Sequence, residues 1–250
     1  MRSSRLLGYA PIGCALCGCS HGQSARGFSG TWDDGKTRGI AIAVASTWKY
    51  PGEMDFQGVP ADRLQRDAYA ILPFDAGGVS RKLVLVALSP PNRHCHACAP
   101  VTGGAIFIGK NGGWEAGYDQ AKIVDVGASG KPPKARLQAP GPALPAVTFE
   151  TDSTHQGFQA ETLTLVGEVA GRLNELLSIE TEASNEGAAL PGSQTFQWRA
   201  TLESIPVRDG KYLDIRVKSS GTREAGEGKP VQPFSSTVTY RFSDGSYKPD

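Results

Sequence analysis

From residue 32 onward, apolar and polar positions alternate or gather in short apolar runs along most of the chain, and this pattern predicts strands. Phe196, Trp198, Ala200 and Leu202 alternate with Gln197, Arg199, Thr201 and Glu203, and residues 177–183 repeat the same period of two. Such alternation places one strand face on a core and the other in water. The runs at 40–45 and 83–88 contain no polar side chain and predict strands buried on both faces, the second stopped by Pro90 and Pro91. Residues 147–149, 163–169, 212–217 and 238–242 predict further strands.

Turn signals fall between these runs. Lys110-Asn111-Gly112-Gly113 separates 105–108 from 114–126, and Asn-Gly between strand-like runs predicts a hairpin because both residues accept positive φ. Gly171, Asp209-Gly210 and Asp244-Gly245 mark other turns. Residues 62–72 read equally as helix or strand, with Leu64, Ala68, Ile71 and Leu72 on one helical face. Residues 127–146 are rich in Gly and Pro and poor in strand formers. No repeat of fixed period runs through the chain. The fold class expected is mostly β, an antiparallel β-sandwich or barrel-like fold of about ten short strands with at most one short helix. The expected division is a β subdomain over 31–130, a Pro/Gly-rich linker or loop over 131–146 and a second β subdomain over 147–250.

The first nineteen residues have a different character. Arg2 and Arg5 precede an apolar stretch over 6–16, and small residues and cysteines follow. A positive end, a short apolar core and a small-residue junction predict an export signal. The apolar stretch is shorter than the roughly 20 residues that cross a bilayer. Leu16-Cys17-Gly18-Cys19 resembles the lipobox of bacterial lipoprotein precursors: a Leu, two small residues and the Cys that is lipidated. The resemblance implies that Cys19 carries diacylglycerol and becomes the mature N-terminus. Ser20 in place of Asp after the Cys implies the periplasmic face of the outer membrane. Without lipidation the protein is expected to be periplasmic or secreted. Residues 20–30 read as a flexible tether between lipid and domain.

Charge and composition narrow the function. Arg2 and Arg5 leave with the signal, so 24 basic side chains face 25 acidic ones. With no basic stripe carrying interleaved aromatics, a nucleic-acid partner is not expected. The partners expected are the lipid bilayer, through acylated Cys19, and an unidentified protein or small ligand. There are 31 Gly and 17 Pro, which fits a turn-rich β protein.

Of five cysteines, Cys14 and Cys17 leave with the signal and Cys19 is the lipidation candidate, which leaves Cys95 and Cys98. They sit in His94-Cys95-His96-Ala97-Cys98, four donor side chains in five positions on an expected loop. Three readings stay open. The first is a disulfide between Cys95 and Cys98, favoured by an oxidising compartment. The second is a copper or zinc site built from His94, Cys95, His96 and Cys98, with His155 as the other histidine of the globular part that could join. The third is thiol redox chemistry, with the stretch after Cys98 a poor helix start. Haem attachment is excluded, because Ala99 stands where that motif needs His.

Other motifs add little. There is no phosphate-binding Gly loop, G-x-S-x-G elbow, H-E-x-x-H or EF-hand loop. Ser46-Thr47-Trp48-Lys49 matches S-x-x-K by letter only. Asp33-Asp34 and the pair Asp119 and Asp125 read as solvated carboxylates rather than a cation site. Trp32, Trp48, Tyr50, Trp114 and Tyr118 read as core aromatics before a binding face. The expected function is therefore a non-enzymatic cell-envelope lipoprotein that binds or senses a ligand, with no catalytic residue assigned and no cofactor expected. The alternatives are copper/zinc or thiol-redox work at the His94–Cys98 loop, and a hydrolase whose triad is assembled from distant residues.

Overall fold

The structure is a computed structural model. It describes residues 27–28, 33–48, 63–91, 99–111, 113–128, 130–138, 146–190, 193–206, 212–226 and 229–250. Two antiparallel sheets account for most of it. The first contains β1 (Gly27–Phe28), β2 (Gln65–Ala76), β3 (Val79–Ser89), β4 (Val101–Lys110) and β5 (Gly113–Asp125), in the order β1-β5-β4-β3-β2. The second contains β6 (Lys134–Gln138), β7 (Ala146–His155), β8 (Phe158–Val169), β9 (Arg172–Ser184), β10 (Gln197–Ile205), β11 (Asp214–Glu224), β12 (Val231–Ser243) and β13 (Ser246–Pro249), in sequence order across the sheet. From β2 onward every strand pairs with its sequence neighbour, except where the chain crosses between sheets after β5. Neither sheet closes on itself, so the fold is a β-sandwich and not a barrel.

Tight turns set the registers. Gly77-Gly78, Gln156-Gly157, Ala170-Gly171 and Asp244-Gly245 each carry two successive positive φ values. That is the two-residue hairpin geometry whose twist matches the strands it joins. Asn111, at the expected β4–β5 hairpin, has φ 50°.

The single helix described, α1 (Asp34–Ala45), corrects the strand expected at 40–45. The Asp33 side chain accepts from Lys36 N at 2.7 Å and caps its N-terminus. Thr37, Ala41 and Ala45 are fully buried at a spacing of four, on the face that meets the first sheet. An unbroken apolar run reads alike in a buried strand and a buried helix. Here the cap and the open face of the sheet select the helix.

From Gln65 onward the ambiguous stretch 62–72 belongs to β2, and its helical look has a structural cause. The β2–β3 register shifts between Ala68 and Ala70. Leu64, Ala68 and Ile71 face α1, whereas Tyr69, Ala70, Leu72 and Phe74 face the second sheet. One inserted residue turns a spacing of two into three and imitates a helical face. Within the stretch read as linker or loop, Lys134–Gln138 forms β6, paired along β7. Several strands run to 11–13 residues, longer than the short strands expected.

Three apolar cores stack through the molecule. The first lies between α1 and the first sheet and holds Val84, Val86, Leu88 and Phe107. Trp48 closes it by lying on Gly103, where a Cβ would sit 2.3 Å from the indole. The second lies between the sheets and joins Leu83, Leu85, Ile106 and Ile123 to Val147, Phe149, Val166 and Leu173. β3 is therefore apolar on both faces, as its sequence predicts. The third arises because β10–β13 fold back over β7–β9, packing Leu165, Leu176 and Leu177 against Tyr212, Ile215, Val217 and Tyr247. The Tyr212 hydroxyl donates to Glu168 O, and the Tyr247 hydroxyl donates to Leu213 O at 2.7 Å.

One side chain ties the sheets directly. The Gln120 amide donates to Leu173 O at 2.8 Å and accepts from Leu173 N at 3.1 Å, acting as a strand partner for that residue. Gln120→Ala strips both bonds from the Leu173 backbone and is expected to cost about 1–3 kcal/mol. Urea unfolding measures this, and an unchanged midpoint would show that the tie contributes nothing.

Burial holds the phenols of Tyr69, Tyr118 and Tyr247 well above their ordinary ionisation range. At Tyr118 the Glu168 charge adds to burial and Arg81 opposes it. The neutral form is the one that fits the folded state, so this stability is fully present below the unfolded pKa near 10 and is lost as pH rises through the folded values. The urea midpoint is expected to fall between pH 9 and pH 11.5, and to fall less in Tyr69→Phe. An equal fall in that variant would exonerate Tyr69.

Candidate functional site

At one tip of the second sheet three connections meet: the β7–β8 turn, the chain between β9 and β10, and the end of the β11–β12 hairpin. They enclose an open cleft of about 470 Å³. Phe158, Asn185, Leu190, Gln194, Glu224 and Lys229 are among its lining residues.

Close packing and side-chain hydrogen bonds hold the described residues of this tip together. Gly157, at φ 85°, packs so closely on the 3-10 turn Glu186–Ala188 that a Cβ would lie 2.3 Å from the Gly187 carbonyl. Asn185 is 8% exposed and holds the connection closed. Its Oδ1 accepts from Phe196 N at 2.7 Å, and its Nδ2 donates to Gln194 O at 3.2 Å. The Gln194 side chain in turn accepts from Val231 N at 2.6 Å, which pins the connection to β12. Ser193 donates to Leu190 O through both its backbone N, at 2.9 Å, and its hydroxyl, at 2.7 Å.

On this hydrogen-bonded frame two apolar side chains are left in solvent. Leu190 is 75% exposed and Phe158 50%, and among the described residues these are the large hydrophobics left in water. Both line the one cleft. Glu224 and Lys229 add one charge of each sign to its lining. Beside it, Trp198, Gly221 and Phe234 lie directly opposite one another across β10, β11 and β12. The Trp198 and Phe234 rings meet edge to face at 6.2 Å, and the Arg223 guanidinium sits 3.8 Å from the Phe234 centroid. The tip thus combines exposed apolar surface with one charge of each sign.

None of the sequence-predicted residues is among the described lining of the cleft. Cys19, His94, Cys95, His96 and Cys98 lie outside the described residues, so the disulfide and metal readings concern a segment for which no geometry is given. Its flanks are placed: it connects the end of β3 to the start of β4, at the end of the 83–88 strand as expected. His155 is exposed at the end of β7, opposite Phe158. Among the described residues no group of three or more His, Cys, Asp or Glu could hold a metal ion, and no helix is long and apolar enough to cross a membrane.

Other candidates resolve into structural roles. Asp33 caps α1, Asp125 pairs with Lys122, and the Ser46 hydroxyl donates to Ala43 O at the helix end. Trp48 and Trp114 lie on the α1 side of the first sheet and Tyr118 on the other, so these three make no common face. Sequence reasoning missed Phe158, Asn185 and Leu190. The available signals were an aromatic directly after Gln156-Gly157 and a lone Leu before Pro191-Gly192.

A second cavity, of about 20 Å³, lies between the sheets and is lined by Arg81, Glu168 and apolar neighbours. The Arg81 Nε and the Tyr118 hydroxyl are buried without a hydrogen-bond partner from the protein. The space suits one water molecule.

The fold and the cleft define a class, an open antiparallel β-sandwich with an exposed apolar cleft at one tip. Comparison with known protein families, curated proteins and solved structures finds no match.

Because Phe158 and Leu190 project into solvent, Phe158→Ser with Leu190→Ser is expected to change stability by no more than about 0.5 kcal/mol per site. The same double variant should bind less of an apolar dye such as 8-anilinonaphthalene sulfonate. Undiminished dye binding would place the accessible apolar surface elsewhere.

Proposed function

We propose that this chain is an exported cell-envelope lipoprotein, acylated at Cys19, whose β-sandwich is a non-enzymatic module that binds or senses a ligand at the tip cleft. The observation that carries the binding role is the pairing of Phe158 and Leu190, the exposed large hydrophobics among the described residues, in one cleft on a hydrogen-bonded frame. A soluble domain gains nothing in stability from such side chains in water, and contiguous exposed apolar surface marks interaction sites. The export and lipid anchor rest on the signal-like start and on Leu16-Cys17-Gly18-Cys19. The bilayer is then one partner, and a protein or small ligand at the cleft the other.

A second reading is favoured by one sequence observation. His94, Cys95, His96 and Cys98 concentrate soft donors on a single connection between adjacent strands. In this reading the connection holds copper or zinc, or cycles between dithiol and disulfide, and the cleft is secondary.

Intact native mass of the full chain recovered from envelope membranes, without chelator, separates these readings. The expected result is a chain starting at Cys19 with acyl groups attached and two hydrogens missing at Cys95 and Cys98. An unmodified N-terminus would overturn the lipoprotein reading. A bound copper or zinc ion lost in Cys95→Ser would shift the functional centre to the β3–β4 connection.

A further inference from the structure

We infer that the β9-facing edge of β10 is a second binding surface, which takes an extended peptide segment by β-strand addition. It shares no lining residue with the tip cleft and does not depend on acylation of Cys19. β10 pairs with β11 along Trp198–Ile205 but with β9 only along Gln197–Arg199, after which the two strands part. In an antiparallel ladder a residue's N–H and C=O point to one side, and successive residues alternate sides. Phe196 O accepts from Asn185 N at 3.3 Å on the β9 side, and Gln197 N donates to the Thr222 hydroxyl at 3.1 Å on the β11 side. Ala200, Leu202 and Ser204 therefore turn their backbone groups away from β11 and into the opening. Among the described residues no strand and no side chain pairs with them there. They form a row of alternating donors and acceptors about 14 Å long.

Other edges are blunted. β2 carries Pro73 and a register shift between Ala68 and Ala70, and Arg38 of α1 donates to Ala68 O. β6 is five residues long and carries Lys134 and Arg136, and β1 and β13 are two and four residues long. On β12, Gln194 takes the Val231 N–H at 2.6 Å, Pro233 has no N–H to offer, and Thr239 O accepts from Asp250 N at 2.8 Å. On β9 the Gln120 amide already serves Leu173. Native sheets protect their edges in these ways, and an edge left open is a template for pairing. The chemistry that matches such a row is another polypeptide backbone. Beside the row lies an apolar crevice of about 10 Å³, too small for a ligand of its own, lined by Leu163, Leu165, Leu202, Ser204 and Ile215. Side chains of an added strand that stand opposite Ala200, Leu202 and Ser204 share the face of Leu202, so the segment is apolar at alternate positions. Its other face meets Thr201 and Glu203, whose charge is neutralised by Lys218 at 2.6 Å. A second copy fits this edge less well, because its own β11 and β12 would enter the corner between β9 and β10 behind its β10.

The test measures fluorescence anisotropy of a fluorescein-labelled octapeptide of alternating valine and threonine, capped by lysines for solubility, titrated with the full-length protein. Saturable binding is expected. A copy of the peptide N-methylated at alternate residues, which removes the donors along one edge, should bind about tenfold more weakly. Ser204→Lys places a charge on the exposed end of the row and should weaken binding of the unmodified peptide by a similar factor. The N-methylated peptide needs no change in the protein and so serves as the readout if Ser204→Lys fails to fold. Phe158→Ser with Leu190→Ser, which alters the tip cleft, should leave the affinity unchanged. No saturable binding, or equal affinity for the two peptides, would overturn strand addition at β10. Binding lost in the cleft variant and kept in Ser204→Lys would move the peptide to the tip. Sedimentation that shows a dimer dissolved by Ser204→Lys would give the edge to a second copy and also overturn the proposal.

Discussion

Burial of β3 on both faces is the constraint on which the rest of the architecture depends. Val84, Val86 and Leu88 need a cover on one side, and Leu83 and Leu85 on the other. An antiparallel meander alone would leave one of these faces in water, since antiparallel sheets commonly bury a single face. The chain meets the demand with α1 on one side and the second sheet on the other. The Gln120 amide then joins the two sheets at Leu173, where apolar contact alone would let them slide.

The third layer follows from the same logic applied once more. β7–β9 face the first sheet with Val147, Phe149 and Val166, and their other face still carries Leu165 and Leu177. The last four strands turn back to cover it. They are longer than the core they cover, so β10–β12 run on past it, with both faces partly in water and no buried residue on β10 or β12. The tip cleft lies where this overrun meets the hydrogen-bonded connection around Asn185. The cleft there has little core beneath it, and its frame is held by hydrogen bonds from the Asn185, Ser193 and Gln194 side chains to the backbone rather than by the apolar side chains it exposes.

Polar groups at the sheet interface follow a different rule. Arg81, Tyr118 and Glu168 bring charge and a phenol to the edge of an otherwise apolar core. Burial keeps the phenol neutral there, which is the cheaper state in a poorly solvated site. The tip cleft and this interior cluster are held by different contacts, so each responds to its own substitutions.

Local chemistry in the sequence determined the class of the fold. Alternation at 177–183 and 196–202, the double-sided apolar run at 83–88 and the Asn-Gly and Asp-Gly pairs name strands and turns, because period-two burial and positive φ are properties of neighbouring residues. Where an apolar run carries no alternation, at 40–45, the choice of helix over strand fell to tertiary structure, since only the open face of the first sheet distinguishes them. The bulge in β2 hid a strand behind a helical spacing for the same reason: its extra residue has meaning only against β3. The cleft was equally illegible, because Phe158, the connection carrying Asn185 and Leu190, and Glu224 are far apart in sequence and converge only once the hairpins fold. Cys19 and the His94–Cys98 group are the opposite case: they are compact motifs of neighbouring residues, read from sequence alone, and lie outside the described residues.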